Sequence, residues 1–211
     1  MTQGNVVIFD VDGTLTETRS IWQFIHQQLG TWETAGKHYL QQFLTGTISY
    51  ETFAKLDARE WRGVPLETVE TIVHNVKYIC GVLETFEQLK AQEKRIFVVS
   101  SGLYVLVNRI IRELGATWGI ANELEVQDGM LTGEVRINVP WDGKGRVLTQ
   151  LSKKFNIDLT TATAVGDSRT DISMFHLCGT SVAFNPSSED VVAAATHVVR
   201  EPDLRKILTF L

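Results

Sequence analysis

The feature that most constrains the fold is a short apolar run followed at once by two aspartates. Residues 6–9 read VVIF, and Asp10 and Asp12 follow with one residue between them, ahead of Gly13. A continuous apolar run of this length is typical of a strand that is covered on both faces in a parallel sheet. Because ligands of such sheets lie beyond the carboxyl ends of the strands, we expect both carboxylates at a functional edge.

Further apolar runs alternate with helical patterns along the chain. The runs occupy residues 95–100, 161–166, 181–184 and 197–199. The stretches with helical spacing occupy residues 82–92, 103–114, 144–155 and 171–178. Strands that alternate with helices predict an α/β fold, here a Rossmann-like parallel sheet with helices on both faces.

Residues 17–78 break this alternation. They contain four stretches with helical spacing and no convincing strand. We therefore predict an α-helical cap subdomain at 17–78, inserted into a catalytic core made of residues 1–16 and 79–211. Asp128-Gly129 lies between two runs of alternating hydrophobicity, which predicts a small β-hairpin in the core.

Polar groups from other segments are expected to meet Asp10 at the same edge of the sheet. Asp167 follows the third apolar run, and Lys144 begins a helical stretch. The carboxylates of Asp10 and Asp167 can hold Mg²⁺, which prefers hard oxygen ligands. The metal ion and Lys144 together would neutralise a phosphoryl group. Asp10 could then attack phosphorus, and Asp12 could protonate the leaving oxygen.

Phosphate oxygens are expected where the second apolar run ends. Ser100 closes that run, and a helical stretch is predicted to begin at Leu103. The hydroxyl of Ser100 and the backbone amides of Ser101 and Gly102 would lie at the helix N-terminus, which favours anions.

The motif DVDGT, the hydroxyl of Ser100, Lys144 and the run GDSRTD occur in an order that resembles the haloacid dehalogenase superfamily of phosphatases. Within that superfamily the order and spacing are most like those of the phosphoserine phosphatases, including the runs AVGDSRTDISMF and DLRKIL. The resemblance covers nearly the whole chain, and it implies that the helical insert is a cap of the kind placed after the first motif.

The resemblance implies a role for each matching residue. Asp10 would be the nucleophile and Asp12 the acid/base. Mg²⁺ would be held by Asp10, the backbone carbonyl of Asp12 and Asp167, with Asp171 supporting its water shell beside Thr170. Phosphate would be bound by two residues from separate segments, Ser100 and Lys144.

Four positions depart from the pattern of the phosphoserine phosphatases. Arg19 stands where they have a glutamate for the substrate's amino group, and Asp57 where they have an arginine for its carboxylate. Thr170 replaces an asparagine, and Ser101 replaces the usual glycine. Arg19 and Asp57 would pair with each other, bind a zwitterion in a flipped pose, or serve another substrate with an anionic or sugar-like body. Two nearby arginines, Arg59 and Arg62, could take the place of Asp57.

The expected function is a Mg²⁺-dependent phosphomonoester hydrolase that acts through an aspartyl-phosphate on a small phosphorylated metabolite. Phosphoserine phosphatase proper, and a phosphotransferase or mutase on the same scaffold, are the alternatives. A signalling module that only carries a phosphorylated aspartate is disfavoured, because it would not need an acid/base at Asp12.

The charge balance and the apolar runs argue against other partner classes. The 211 residues carry a formal net charge of −5 and no basic tract, which disfavours nucleic-acid binding. No stretch approaches the ~20 apolar residues of a membrane span, and the first residues, MTQGNVV, do not resemble a signal peptide. We expect a cytoplasmic protein, either a monomer or a homodimer.

Overall fold

A computed structural model describes residues 5–211. The first four residues, to which the predictions about the N-terminus and the core segment 1–16 partly refer, lie outside the described residues. The described residues form seven strands: β1 (Val6–Phe9), β2 (Arg95–Leu103), β3 (Trp118–Gln127), β4 (Met130–Arg136), β5 (Thr163–Gly166), β6 (Thr180–Phe184) and β7 (His197–Val199).

Helices account for most of the remaining described chain. The α-helices are α1 (Ile21–Gln28), α2 (Lys37–Leu44), α3 (Tyr50–Glu60), α4 (Leu66–His74), α5 (Val82–Ala91), α6 (Tyr104–Leu114), α7 (Lys144–Phe155), α8 (Ile172–Phe175) and α9 (Glu189–Ala194). None of the helices within residues 5–211 has the length and apolarity needed to cross a lipid bilayer.

The strands form one sheet in the order β4-β3-β2-β1-β5-β6-β7. Every neighbouring pair is parallel except β3 and β4, which form the predicted antiparallel hairpin. Alternate residues of β1 enter two separate cores, as the period of a strand requires. Val7 and Phe9 pack with α5 and α6 on one face, and Val6 and Ile8 pack with α7 to α9 on the other. The predicted α/β sheet with helices on both faces is confirmed.

The four predicted helices between β1 and α5 are present as α1 to α4. Side-chain caps begin two of them, because Ser20 accepts a hydrogen bond from the backbone N–H of Gln23, and Ser49 from that of Thr52. A π-helical turn at Trp32–Gly36 joins α1 to α2. The sequence pattern did not predict this turn, which lacks a side-chain cap.

The hairpin joins the helical segment to the sheet. Only the second part of β3 pairs with β4, since its first part lies parallel to β2. The sequence pattern did not predict that parallel part. Backbone hydrogen bonds link the hairpin to the chain that joins α3 to α4. Gly63 and Val64 bond to Leu131 of β4, and Leu66, the first residue of α4, donates to Gly129 in the hairpin turn. A sheet edge that would otherwise stay exposed is thereby covered.

Strand β2 is longer than predicted. It continues through Ser101 and Gly102 to Leu103, with an irregular register after Val99, and α6 begins only at Tyr104. The expectation that Ser101 and Gly102 lie at the N-terminus of this helix is therefore wrong. The pairing of β2 with β3 keeps these residues extended.

Candidate active site

The ends of β1 and β5 bring two carboxylates together. Asp10 follows β1 directly, and its backbone N–H donates to the carbonyl of Val165 in β5, at 2.9 Å. Asp167 follows β5. The chain after Asp10 passes so close to Asp167 that a Cβ on Gly13 would lie 2.5 Å from its Oδ2 atom. Gly13 also has a φ of +84°, so a residue without a side chain is required there.

Lys144, the first residue of α7, lies between two buried carboxylates. Its Nζ atom contacts Oδ1 of Asp10 and lies 2.6 Å from Oδ1 of Asp171. Burial alone would lower the pKa of Lys144, but the attraction of both carboxylates outweighs burial and raises it. Lys144 is therefore a fixed positive charge beside Asp10.

Asp171 holds the loop that carries Asp167. Its Oδ2 atom accepts hydrogen bonds from the backbone N–H groups of Asp167 at 3.0 Å and Ser168 at 2.9 Å. Because its Oδ1 atom accepts from Lys144, both oxygens of Asp171 are occupied. Asp171 thus positions Lys144 and the backbone of Asp167 and Ser168.

The carboxylates of Asp10, Asp167 and Asp171 fit a divalent cation. One oxygen from each lies within 4.8 Å of the others, and Oδ1 of Asp167 is buried without a hydrogen-bond partner among the described residues. Burial and repulsion from the neighbouring carboxylates raise the pKa of Asp10 to about 6 and that of Asp167 to about 8. A hard cation would compensate this crowded negative charge.

Asp12 lies three residues beyond the end of β1, where it touches α1. Its Oδ2 atom accepts from the backbone N–H of Ile21 at 3.3 Å, and its buried Oδ1 atom has no hydrogen-bond partner among the described residues. A Cβ on Gly102 would lie 2.8 Å from Asp12 Oδ2, so the absence of a side chain there makes room for the carboxyl group. Burial and the nearby Asp10 raise the pKa of Asp12 to about 7, which suits an acid/base near neutral pH.

The end of β2 has its own hydrogen bonds. The backbone N–H of Gly102 donates to Ser100 Oγ at 2.9 Å, so this amide already has an acceptor. The carbonyl of Ser101 accepts from Tyr50 Oη, from Trp22 Nε1 at 3.4 Å and from Asn122 Nδ2 at 2.8 Å. Two helical residues, Trp22 and Tyr50, are therefore bound to the strand end. The binding of phosphate by this segment stays a prediction.

A cavity of about 250 Å³ opens above these groups. Its floor is polar and comes from the sheet edge: Asp10, Asp12, Ser101, Gly102, Asp167, Ser168, Thr170 and Ser187. Its other side is mostly apolar: Arg19, Ser20, Trp22, Leu40, Phe43, Tyr50, Phe53 and Trp141. Lys144 and Ser100 lie behind the floor and do not line the cavity.

The sequence did not single out the aromatic side of the cavity. Trp22, Phe43, Tyr50 and Phe53 belong to stretches with helical spacing, in which aromatic residues usually indicate core packing. Trp141 is 43% exposed and lies in the loop before α7. Nothing in the sequence distinguished these rings from ordinary core residues.

The two charged residues that depart from the family pattern have different partners. Arg19 lines the cavity, and its Nη1 atom lies 2.8 Å from Oδ2 of Asp167. Asp57 is 1% exposed, and its Oδ1 atom lies 3.0 Å from Nε2 of His26. Of the three alternatives for these residues, the pairing of Arg19 with Asp57 is therefore wrong, and the structure does not bring Asp57 to the cavity. Asp57 lies on the buried side of α3, where a substrate would not reach it.

The neighbouring arginines do not replace Asp57. Arg59 and Arg62 are absent from the cavity lining, and both lie near Gly133 of the hairpin. The helical segment thus contributes one charged side chain to the cavity, Arg19.

Comparison with known proteins places most of the chain in one family. The sequence model of the haloacid dehalogenase-like hydrolases matches residues 7–176. Phosphoserine phosphatase from Methanocaldococcus jannaschii is 31% identical over 208 residues, which are 98% of this chain and 97% of that protein.

Solved structures of phosphoserine phosphatases are also similar to this chain, over its full length. A phospho-aspartyl intermediate analogue of phosphoserine phosphatase has a TM-score of 0.84 at 30% identity, with 100% of both chains covered. A substrate-bound phosphoserine phosphatase complex has a TM-score of 0.85 at 30% identity, again with 100% of both chains covered.

Proposed function

The chain belongs to the family of haloacid dehalogenase-like hydrolases, and from that premise we propose that it is a magnesium-dependent phosphomonoester hydrolase with Asp10 as its nucleophile. One observation carries the assignment. Asp10 ends a buried strand beside Lys144, and Asp12 lies two residues further along the same cavity floor. This arrangement supplies a carboxylate, a fixed cation and an acid to one phosphoryl group.

In the first step, a carboxylate oxygen of Asp10 attacks phosphorus while the ester P–O bond breaks. The electron pair of that bond goes to the leaving oxygen, which receives the proton of the Asp12 carboxyl group. The alcohol is then released, and an aspartyl-phosphate remains on Asp10. Because its pKa is raised to about 7, Asp12 can hold this proton near neutral pH.

In the second step, water attacks the phosphorus of the aspartyl-phosphate. Asp12, now ionised, takes a proton from that water, and the P–O bond to Asp10 breaks. Inorganic phosphate leaves, and both aspartates return to their starting states. Lys144 stays beside Asp10 throughout, held there by Asp171.

Asp10, the backbone carbonyl of Asp12 and Asp167 would hold the Mg²⁺ ion. When bound, the ion would neutralise negative charge on the phosphoryl oxygens. The free Oδ1 atom of Asp167 and the raised pKa of both carboxyl groups support this assignment. Asp171 and Thr170 would act indirectly, because Asp171 holds the loop and Thr170 Oγ1 lies 2.8 Å from Ser168 Oγ.

Four residues would bind the phosphate group: Ser101 and Gly102 line the cavity, and Lys144 and Ser100 lie directly behind it, in contact with Asp10 and Gly102. Residues 17–78 would act as the cap, since α1 to α3 supply most of the apolar side of the cavity. Phosphoserine is a second candidate substrate, because the relatives described above are phosphoserine phosphatases. A cytoplasmic location and the choice between monomer and homodimer stay predictions.

Phosphate release tests the function directly. The purified protein is incubated with p-nitrophenyl phosphate, phosphoserine and glycerol 3-phosphate, with Mg²⁺ or with EDTA. We expect release that requires the metal ion and is lost in Asp10→Asn, whereas Asp128→Asn at the exposed hairpin turn serves as the matched control. Undiminished release with EDTA or in Asp10→Asn would contradict the proposed chemistry.

A further inference from the structure

The apolar side of the cavity is a continuous cluster of aromatic rings. The centroid of Phe43 lies 5.4 Å from that of Phe53, 5.7 Å from that of Tyr50 and 5.2 Å from that of Trp141. Trp22 lies 6.1 Å from Phe53. These separations are typical of aromatic rings in contact, so the rings present one surface to the cavity.

Two of the three polar atoms of this cluster, those of Tyr50 and Trp22, already have partners, and the third is the indole N–H of the partly exposed Trp141. Tyr50 Oη donates to the Ser101 carbonyl and accepts from Asn122 Nδ2 at 2.9 Å. Trp22 Nε1 donates to the same carbonyl. Phe43 and Phe53 have no polar side-chain atoms, so what these side chains offer a ligand is mainly apolar.

Charge recognition on this side of the cavity is weak. Among the described residues of 17–78 that line the cavity, none is acidic, so a substrate ammonium group finds no carboxylate there. The guanidinium of Arg19 contacts the Asp167 carboxylate. The remaining charged candidate, Asp57, is sealed between α1 and α3 with His26. The ammonium group of a zwitterion would therefore lose hydration on this side of the cavity without gaining a matched charge.

The size and the mouth of the cavity limit the ligand further. A volume of about 250 Å³ is small for a ligand site, and the phosphoryl group of a bound ester would occupy part of it. Trp141 is 43% exposed although its ring contacts Phe43 and Tyr50. A bound ring or branched alkyl group could cover the exposed part of this side chain.

We propose that the substrate is a phosphate monoester of a compact, uncharged, apolar alcohol, with arylalkyl phosphates as the class that fits best. The assignment rests on the phosphatase function proposed above. The phosphoryl group would lie on the polar floor, and the apolar body would lie against Phe43, Phe53 and Trp141.

Four esters with primary alcohol leaving groups test this substrate class: benzyl phosphate, phosphoserine, glycerol 3-phosphate and phosphocholine. Because their leaving groups are chemically alike, differences in kcat/KM report mainly on the body of the substrate. We expect kcat/KM for benzyl phosphate to exceed the others by about tenfold or more, as burial of one ring implies. A preference for phosphoserine or glycerol 3-phosphate would overturn the inference. A preference for phosphocholine would overturn it too, in favour of a cation–π cage.

Two variants locate the effect. Trp141→Ala and Phe43→Ala should each raise KM for benzyl phosphate several-fold, with a smaller change in kcat and little change in KM for glycerol 3-phosphate. Leu44→Ala is the matched control, because Leu44 is 68% exposed beside Phe43 and does not line the cavity. Trp141→Phe should restore most of the affinity. Equal effects on both substrates would contradict binding by the rings.

Binding without chemistry gives a second readout. Titration calorimetry with Mg²⁺ should show tighter binding of benzylphosphonate than of methylphosphonate, and Trp141→Ala should reduce the difference. Equal affinities would overturn the inference. Release from phosphoserine as the best ester would refute only this inference, whereas no release from any ester or from p-nitrophenyl phosphate would refute the proposed function itself.

Discussion

Two buried pairs of basic and acidic side chains can be compared in this molecule. At the sheet edge, Lys144 lies between Asp10 and Asp171. In the helical segment, His26 lies 3.0 Å from Asp57, under the ring of Trp61, whose centroid is 4.9 Å from that of His26. Both pairs are almost fully buried, but a cavity reaches only the carboxylate of Asp10. A buried charge can perform chemistry only where a substrate can touch it.

The pairs also differ in how completely their polar atoms are satisfied. Both oxygens of Asp171 accept hydrogen bonds, and Lys144 is shared between two carboxylates. The His26 ring is fixed from its other side, since Nδ1 lies 2.6 Å from Thr31 Oγ1. Neither oxygen of Asp57 has an aligned hydrogen bond among the described residues. A buried pair of this kind costs desolvation energy, so it is weak evidence for stability.

The largest expected effect is a loss of activity when the pair at the sheet edge is changed. Asp10→Asn should lower kcat by a factor on the order of 10³ or more, because an amide cannot form the covalent intermediate. Its melting temperature should change little, since Lys144 keeps Asp171 as a partner. Phosphate release and calorimetry measure the two quantities. Activity within a few-fold of the wild type would remove Asp10 from the mechanism.

The opposite result is expected for the pair in the helical segment. His26→Leu leaves the buried Asp57 carboxyl group without its partner, and the free energy of unfolding should fall by ~3–5 kcal/mol. The kcat of the folded protein should change little, because neither residue lines the cavity. Urea unfolding measures the free energy of unfolding, and phosphate release below the melting temperature measures kcat.

A second substitution gives the control for this variant. Because the loss comes from an unpaired buried carboxyl group, His26→Leu/Asp57→Leu should recover much of the lost stability. A double variant that is no more stable than His26→Leu would show that the loss comes from packing.

A smaller effect, and one that depends on pH, is expected for Asp57→Asn. Burial raises the pKa of Asp57 from 3.8 to about 6, despite the nearby His26. Between these two pKa values the folded wild type still binds a proton that the unfolded chain has lost. The free energy of unfolding of the wild type therefore falls as pH rises. Asp57→Asn removes this loss, and its stability relative to the wild type should rise by on the order of 1 to 3 kcal/mol between pH 4 and pH 6.

Urea unfolding at both pH values measures this difference, with Asp128→Asn as an exposed control. The kcat of Asp57→Asn should stay near that of the wild type. A large loss of activity would mean that Asp57 contacts the substrate after all, and a relative stability that does not change with pH would contradict the raised pKa.

The smallest expected effect concerns the contact between the helical segment and the sheet edge. Arg19 is half exposed and pairs with Asp167, so it competes with a cation for that carboxylate. Arg19→Ala should tighten Mg²⁺ binding by up to about fivefold, since a pair at this exposure contributes ~1 kcal/mol or less. Titration calorimetry measures the affinity, with Arg62→Ala as control. Weaker binding in Arg19→Ala would show that Arg19 supports the metal site.

The chemical half of the site could be predicted from the sequence because its geometry follows from strand order. Asp10 and Asp167 each end an apolar run, and parallel strands bring such ends to one edge. The end of β2 was predicted less well, because its pairing with β3 extends the strand through Ser101 and Gly102. That pairing involves residues more than fifteen positions apart, and no local pattern records it.

The sequence by itself determined which chemistry this protein performs, whereas only the tertiary structure decided which side chains meet the rest of the substrate. Asp57 and Tyr50 lie on the same helix and look equally available, yet packing seals Asp57 against His26 and turns Tyr50 toward the cavity. The physical reason is that a strand end has one direction, while a helix has several faces. For α3, the face that meets the substrate depends on the contact of Asp57 with His26 of α1 and on packing against β4 of the hairpin, both far away in the chain.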